Sequence, residues 1–286
     1  MKTSTIRMPD QRNVAYNLYG HQAHFPVIFF HDFGSSRNTL VADELWLDRH
    51  RWSLVSFDRP GVGASDSRPG YSLCDIADDA ALLVEKLGHE SCAAIGWSAG
   101  APFAIAFAAA YPELVEFLIL ISPMPPIGDR EYWKLADGAV RWSTLLARYF
   151  PGIARRYFFW QAKKYRKNPE KWLQPFLKDL NDRDRRFLLS DKIRRALYLT
   201  LEDAWSDPAA GPVGDLAALE RPLPFRLEDI RQRVHLSHNE PDNLANRQVR
   251  KKLAGAFPFA SMHEMSGAGR FGFLNRLEEI LYASLW

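Results

Sequence analysis

Apolar residues along this 286-residue chain fall largely into short uninterrupted runs that glycine, proline and polar residues separate. Runs of that length are typical of strands buried on both faces of a parallel sheet. One alternating segment, 14–19, ends at Gly20 and predicts an exposed strand at a sheet edge. The buried strands are predicted at 27–30, 53–57, 92–95, 115–121, 234–238 and 259–265.

Helices are predicted between these strands. Ser72, with Asp75 three residues later, resembles a capping box, and the helix that follows is predicted to end at Gly88. Further helices are predicted at 101–110, 244–255 and 274–285. The alternation of buried strands with helices predicts an α/β fold with a doubly wound, mostly parallel sheet.

The periodicity changes between residues 128 and 228, where the chain is helical, basic and rich in aromatic residues. No strand of the sheet is predicted inside this stretch. We therefore expect a helical lid, inserted after the strand at 115–121. The predicted domains are an α/β core, formed by 1–127 and 229–286, and a cap or lid at 128–228.

Composition limits the class of protein. A hydrophobic content of 47% is ample for the core of one large domain. The first residues have no apolar stretch of signal-peptide length, so a cytoplasmic location is expected. The two cysteines, Cys74 and Cys92, fall on a predicted helix and a predicted strand and are expected to be buried thiols rather than a disulfide framework. No metal and no cofactor is expected.

The net charge of +3 is unevenly distributed, because residues 141–195 contain 16 Lys and Arg against 5 Asp and Glu. Aromatic and basic residues are interspersed there, as in 157–165, which is typical of an amphipathic helix covering a pocket. We expect an aromatic inner face, a solvated basic outer face and a large, planar or hydrophobic ligand. Binding to a membrane surface or an anionic partner is the second interpretation. Membrane association is not the expectation, and nucleic-acid binding is not expected because no recognition motif is present.

The candidate chemistry centres on the Gly-x-Ser-x-Gly segment at 96–100. An apolar run precedes it and a run of small helix-forming residues follows it, so it is predicted to be a sharp turn between a strand and a helix. A residue on such a turn is strained and holds its side chain clear of the backbone. Ser98 is therefore the candidate nucleophile, and the helix N-terminus beneath it supplies N–H donors for a developing negative charge.

Polar loops follow two of the other predicted strands. His31-Asp32-Phe33-Gly34 comes directly after the strand at 27–30, at the carboxyl edge of the sheet where α/β proteins place ligand contacts. The backbone N–H of Phe33 is expected to face the same pocket as that of Ala99. The loop at 58–66 is expected to be a compact structural turn held by local hydrogen bonds.

Taken together, these segments resemble the α/β-hydrolase superfamily, in particular its bacterial lid-bearing branch. The resemblance covers nearly the whole chain and rests on four segments in the family's order, at 31–34, 58–65, 96–100 and 238–242. It implies that Ser98 is the nucleophile, that the amides of Phe33 and Ala99 form the oxyanion hole, and that Asp242 is the acid of the triad.

The chain departs from the family pattern at the general base. The family has Gly-x-Gly-His after the last strand, whereas this chain has arginine at the fourth position, Arg270. A guanidinium stays protonated at any workable pH and cannot take a proton from Ser98. Arg270 can hold an anion, pair with Asp242 or donate hydrogen bonds.

Four other histidines are alternatives for the base. His31 begins the oxyanion loop but is expected to hold that loop, and His263 lies on a predicted strand, far from its tip. His238 matches a position that is commonly histidine in the family without catalytic duty, and His235 lies on the same strand.

Three hypotheses remain open. The first is an enzyme that acts on a hydrophobic or aromatic carbonyl compound without hydrolysis, as in lyase, cyclisation or carbon–carbon bond-forming reactions, through Ser98, the two amides and Arg270. The second is a serine esterase or hydrolase that recruits His31 or His263. The third is a catalytically inert ligand-binding protein.

Overall fold

The computed structural model describes residues 3–136, 138–207, 210–239, 247–265 and 271–284. Within these ranges one sheet has eight strands. They are β1 (Ser4–Arg7), β2 (Asn13–Tyr19), β3 (Phe25–Phe30), β4 (Trp52–Phe57), β5 (Cys92–Trp97), β6 (Val115–Ile121), β7 (Arg233–Asn239) and β8 (Ala260–Met265).

The strands lie in the spatial order β1-β2-β4-β3-β5-β6-β7-β8. β2 pairs antiparallel with β1 and β4, and the remaining neighbours pair parallel. The mostly parallel sheet predicted from the sequence is thus confirmed. The prediction of an edge strand at 14–19 is wrong, because β1 pairs along the outer side of β2.

Twelve α-helices accompany the described part of the sheet. Five lie outside residues 128–228: α1 (Glu44–His50), α2 (Leu73–Lys86), α3 (Ala101–Ala110), α11 (Arg247–Ala256) and α12 (Leu277–Ala283). Seven lie between β6 and β7: α4 (Arg130–Trp133), α5 (Gly138–Tyr149), α6 (Pro151–Lys167), α7 (Pro169–Asp179), α8 (Asp182–Leu188), α9 (Asp191–Ala204) and α10 (Gly211–Leu219). We call this second group, at 128–228, the helical segment.

The predicted helix boundaries agree well with the structure where local capping fixes them. The capping box is present, since the Ser72 Oγ accepts from the Asp75 N–H at 3.2 Å and the Asp75 carboxylate accepts from the Ser72 N–H at 2.7 Å. α3 has the bounds that its composition predicts. α1 was not predicted, and residues 244–246 of the predicted helix at 244–255 lie outside the described residues.

Both faces of the sheet are buried. Along β3, Ile28 and Phe30 belong to one apolar cluster with α2 and α3, while Val27 and Phe29 belong to a second cluster with Phe273 and α12. A strand covered on both faces needs apolar residues at every position, which explains the uninterrupted runs.

The two cysteines are free thiols. Cys92 is buried on β5, as predicted, whereas Cys74 on α2 is only half-buried, and neither forms a disulfide. Among the residues that the structure describes, no helix has the length and apolar character needed to cross a membrane.

Candidate active site

The turn between β5 and α3 has the strained geometry that its sequence predicts. Ser98 has a φ of 51° and is 2% exposed. A Cβ on Gly100 would lie 2.0 Å from the Phe30 carbonyl oxygen, and one on Gly96 would lie 2.6 Å from the Ala101 Cα. Both glycines are required by close backbone approach, which seats the turn directly against the end of β3.

The loop after β6 braces this turn from the other side. The backbone N–H of Met124 donates to the Ser98 carbonyl at 3.0 Å. Residues 98–100 form a single 3₁₀ turn that leads into α3. The turn is therefore fixed between two strand ends, and the Ala99 amide has a defined direction.

The two predicted oxyanion-hole amides converge on one point. The Phe33 N–H donates to the Oδ1 of Asp32 at 2.8 Å, and the Ala99 N–H donates to the same oxygen at 3.0 Å. The convergence is as expected, but its occupant is a carboxylate of the chain itself. Asp32 is 6% exposed, so its side chain is an internal ligand of the hole.

His31 holds the loop that carries this carboxylate. Its Nδ1 lies 2.9 Å from the Asp32 carbonyl oxygen, and its Nε2 has no hydrogen-bond partner in the part of the chain that the structure describes. Burial, with a smaller contribution from Arg59, lowers the pKa of His31 well below its usual value. His31 is thus a neutral structural histidine, and it makes no hydrogen bond to Ser98.

The remaining histidines give no better base. His263 lies on β8 and is exposed. His238 is 1% exposed on β7, neither ring nitrogen has a hydrogen-bond partner among the described residues, and burial lowers its pKa to about 3. In the described part of the chain, the hydrogen bonds of histidine rings go to backbone groups or to Ser261, and none goes to Ser98.

Two of the predicted site residues cannot be placed. Asp242, the predicted acid, and Arg270, at the predicted position of the base, both lie outside the described residues. The strands that lead toward them, β7 and β8, are adjacent and parallel in the sheet, in the order that the resemblance implies.

A cavity of about 340 Å³ lies between the carboxyl ends of the central strands and the helical segment. α7 and α9 supply much of its wall, including Trp172 and Phe176, so part of the predicted aromatic inner face is present. Asp32 and Trp97 line it, whereas Ser98 does not. The polar group that meets the cavity at the hole is therefore the Asp32 carboxylate. The described lining residues are Asp32, Phe33, Gly34, Ser35, Thr39, Trp97, Trp172, Leu173, Phe176, Leu188, Ile193, Ala196, Leu197, Thr200, Leu201, Trp205, Phe271 and Leu274.

A buried arginine positions the oxyanion loop. Arg59, from the loop predicted to be structural, donates to the carbonyl oxygens of His31 at 2.7 Å and Asp32 at 3.3 Å. The same guanidinium pairs with both oxygens of Asp215 on α10, at 2.7 and 2.6 Å, and Tyr71 donates to Asp215 at 2.6 Å. Arg59 thereby joins the hole to the helical segment.

A second arginine makes a parallel connection. Arg37 pairs with the buried carboxylate of Asp58 and, at 3.1 Å, with Asp203 on α9. The turn at 58–66 is closed by its own side chains, as predicted, since the Ser65 hydroxyl donates to the Asp58 carbonyl at 2.8 Å. Two helices of the segment are thus tied to the sheet by ion pairs.

Sequence reasoning missed three of these groups. The one signal for Asp32 was an acidic residue in a loop expected to present N–H donors. Nothing local marked Arg59 and Asp215 as partners, since 156 positions separate them. No group of three or more His, Cys, Asp or Glu in the described residues has the arrangement of a metal site.

The chain is similar to known proteins of one fold family. A family model described as "alpha/beta hydrolase fold" matches residues 26–277. A non-heme chloroperoxidase of Streptomyces lividans is 30% identical over 125 residues, which cover 43% of this chain and 45% of that protein. A putative carbamate hydrolase RutD of Caulobacter vibrioides is 24% identical over 227 residues, 77% of this chain and 74% of that protein. The match to the chloroperoxidase thus spans less than half of its length.

Solved structures agree over nearly the full chain. A hydrolase from Pseudomonas aeruginosa superimposes with a TM-score of 0.72 at 17% identity, over 99% of this chain and 98% of that one. An esterase from Exiguobacterium antarcticum gives a TM-score of 0.69 at 15% identity, over 99% and 98%. At these identities the likeness is one of fold.

Proposed function

The chain belongs to the alpha/beta hydrolase fold family. On that premise we propose that it is an enzyme that converts a hydrophobic carbonyl compound to its enolate, without hydrolysis. One observation carries this proposal. The amides of Phe33 and Ala99 point at a single oxygen position, and the group that occupies it is the carboxylate of Asp32 at the wall of an apolar cavity.

The two amides form a site for a negatively charged oxygen. Two N–H donors at 2.8 and 3.0 Å hold the Asp32 Oδ1, and the same geometry suits the oxygen of an enolate. The carbonyl oxygen of a ligand binds by taking the place of Oδ1. The two N–H groups then donate to the ligand oxygen instead of the carboxylate oxygen, so neither donor loses its hydrogen bond.

The displaced carboxylate then becomes the proton acceptor. A rotation of the Asp32 side chain leaves its carboxylate beside the carbon next to the ligand carbonyl, within the cavity that Asp32 lines. The C–H proton passes to Asp32, the electron pair of that bond forms a C=C bond to the carbonyl carbon, and the π pair of the carbonyl moves onto its oxygen, whose charge the two amides stabilise. An aspartate base paired with an oxyanion hole is an established arrangement for such chemistry.

Hydrolysis is disfavoured for two reasons. No described histidine bonds to Ser98, and Arg270, where the family pattern has its histidine, cannot accept a proton. In this proposal Ser98 takes no direct part, because it does not line the cavity, and the turn that it forms holds the Ala99 amide in place. Arg270 holds developing negative charge or pairs with Asp242. Residues 128–228 act as the lid, and the apolar lining selects a hydrophobic or aromatic substrate.

The test is proton exchange at carbon. We expect the protein to accelerate deuterium uptake next to the carbonyl of hydrophobic ketones, with 4-phenyl-2-butanone as the first probe, measured by NMR in D₂O. Asp32→Asn keeps an oxygen that accepts from both amides but is not a base, so exchange should fall about 100-fold or more. Ser98→Ala should lower the rate less.

Two outcomes would reject the proposal. Exchange that is absent with every ketone tried, while a ketone binds, would indicate a ligand-binding protein. Hydrolysis of p-nitrophenyl butyrate that is lost in Ser98→Ala and kept in Asp32→Asn would indicate a serine hydrolase.

A further inference from the structure

The outer face of α5 and α6 exposes an unusual concentration of large apolar side chains. Sequence spacing predicted that the aromatic residues at 157–165 would face a pocket, but only Phe158 and Tyr165 are buried there among the rings at 157–160 and 165. In the described residues, seven of the thirteen exposed large hydrophobic side chains fall within 142–160. They are Trp142, Tyr149, Phe150, Ile153, Tyr157, Phe159 and Trp160.

Helical spacing aligns several of these side chains. Phe150, just before α6, and Ile153, Tyr157 and Trp160 on it follow the 3–4–3 spacing of one helical stripe. Their exposed fractions lie between 48% and 59%. The rings of Tyr157 and Trp160 lie 6.3 Å apart, so they form a continuous surface. We call Trp142, Tyr149 and this stripe, with Phe159, the aromatic face.

Basic side chains surround the aromatic face, and one of them, Arg148, pairs with Glu220 just after α10. Residues 138–167 contain eight Lys and Arg and no Asp or Glu. All six basic residues of α6 are exposed. Arg155, Arg156, Lys163 and Lys167 have no ion pair with any described residue, and the Lys164 Nζ lies 3.3 Å from the centre of the Trp160 ring.

We propose that the aromatic face docks on an anionic phospholipid bilayer. Exposed aromatic rings prefer the boundary between headgroups and acyl chains, and a helix with an apolar stripe among Lys and Arg lies in that plane. The uniform positive charge complements anionic headgroups. An apolar patch rimmed by charges of one sign fits lipid better than a second copy of the chain, whose like charges would repel.

The face is physically connected to the cavity. The Gln161 side chain donates to the Tyr157 hydroxyl at 2.8 Å and accepts from the Trp172 indole N–H at 3.0 Å. Trp172 lines the cavity. Docking would therefore hold a cavity-lining helix close to the lipid phase, where hydrophobic molecules concentrate. The proposal stands independently of the reaction proposed above.

Vesicle co-sedimentation of the full chain tests the proposal. We expect the protein to bind vesicles of phosphatidylcholine mixed with phosphatidylglycerol, less so at high salt, and to stay in solution with phosphatidylcholine alone. Tyr157→Ser with Trp160→Ser should lower the partition coefficient about tenfold or more. Lys163→Glu with Lys167→Glu should lower it by at least about thirtyfold, since the loss of each cation near the surface alone costs about fivefold and the new negative charges add to this.

Matched controls lie elsewhere on the surface. Leu45→Ser removes a side chain that is 78% exposed on α1, and Lys251→Glu reverses an exposed charge on α11. Neither should alter binding, and circular dichroism should show every variant folded. The proposal fails if anionic vesicles bind no better than neutral ones, or if the controls reduce binding as much as the face variants. It also fails if light scattering shows a dimer that Tyr157→Ser with Trp160→Ser converts to monomer.

Discussion

At the joint between the sheet and the helical segment, Arg37 and Arg59 are buried and paired, whereas on α6 every basic side chain reaches solvent. Arg59 makes four hydrogen bonds within the protein and ties the oxyanion loop to α10. The cations of α6 face outward among exposed rings. The first arrangement fixes the geometry of the hole. The exposed cations of α6 contribute little to the free energy of folding, so they are available to bind a partner outside the chain.

Breaking the buried pair should have the largest effect on stability. Asp215→Ala leaves the Arg59 guanidinium, 1% exposed, without its carboxylate. Loss of one partner of a buried ion pair costs about 3–5 kcal/mol, measured as the free energy of unfolding in denaturant. Glu228→Ala, in the exposed pair with Arg226, is the control and should leave the unfolding curve unchanged. Equal effects of the two changes would remove the distinction between joint and surface.

Neighbouring phenylalanines on α6 sharpen the same contrast. Phe158 is 7% exposed and packs on Trp205, so Phe158→Ala should cost about 3 kcal/mol of unfolding free energy. Phe159 is 60% exposed, and Phe159→Ala should change the unfolding free energy by less than about 0.5 kcal/mol. A large loss from Phe159→Ala would mean that the aromatic face is part of the core after all.

A graded effect should appear with pH. Burial lowers the pKa of His238 to about 3 in the folded protein, below its value in the unfolded chain. The unfolded chain then binds more protons below about pH 6.5, so stability is complete above that pH and falls as the pH drops toward 3. The slope from this histidine is about 1.4 kcal/mol per pH unit. His238→Leu should flatten the pH dependence of the melting temperature, and His263→Asn, on an exposed side chain, should not.

Local features of the elbow were predictable from the sequence. The glycines at 96 and 100 and the strained Ser98 depend on contacts within one strand–turn–helix unit and with the adjacent β3, and the sequence pattern for that unit is specific. The positions of most strands, the helix at 101–110 and the capping box at Ser72 follow from patterns of the same short range.

Other features depend on contacts between distant residues. The Asp32 carboxylate reaches the Ala99 N–H, 67 positions later, and no local pattern shows which rotamer brings it there. The spacing of aromatic residues on α6 indicates a helix but not which flank packs inward, so the expected aromatic inner face at 157–165 is wrong for Tyr157, Phe159 and Trp160, which are exposed. The outer strand β1 is short and has Ile6 as its one apolar residue, which explains why the sequence predicts β2 as the edge.

Labelling with a fluorophosphonate at neutral pH, read by intact-protein mass spectrometry, tests the proposed non-hydrolytic site most directly. With Asp32 in the hole and arginine at position 270, the wild-type protein should form no stoichiometric adduct at Ser98. Asp32→Gly combined with Arg270→His, which vacates the hole and supplies a base, should label. Complete labelling of the wild-type protein that Ser98→Ala abolishes would contradict the proposal and identify an active serine hydrolase.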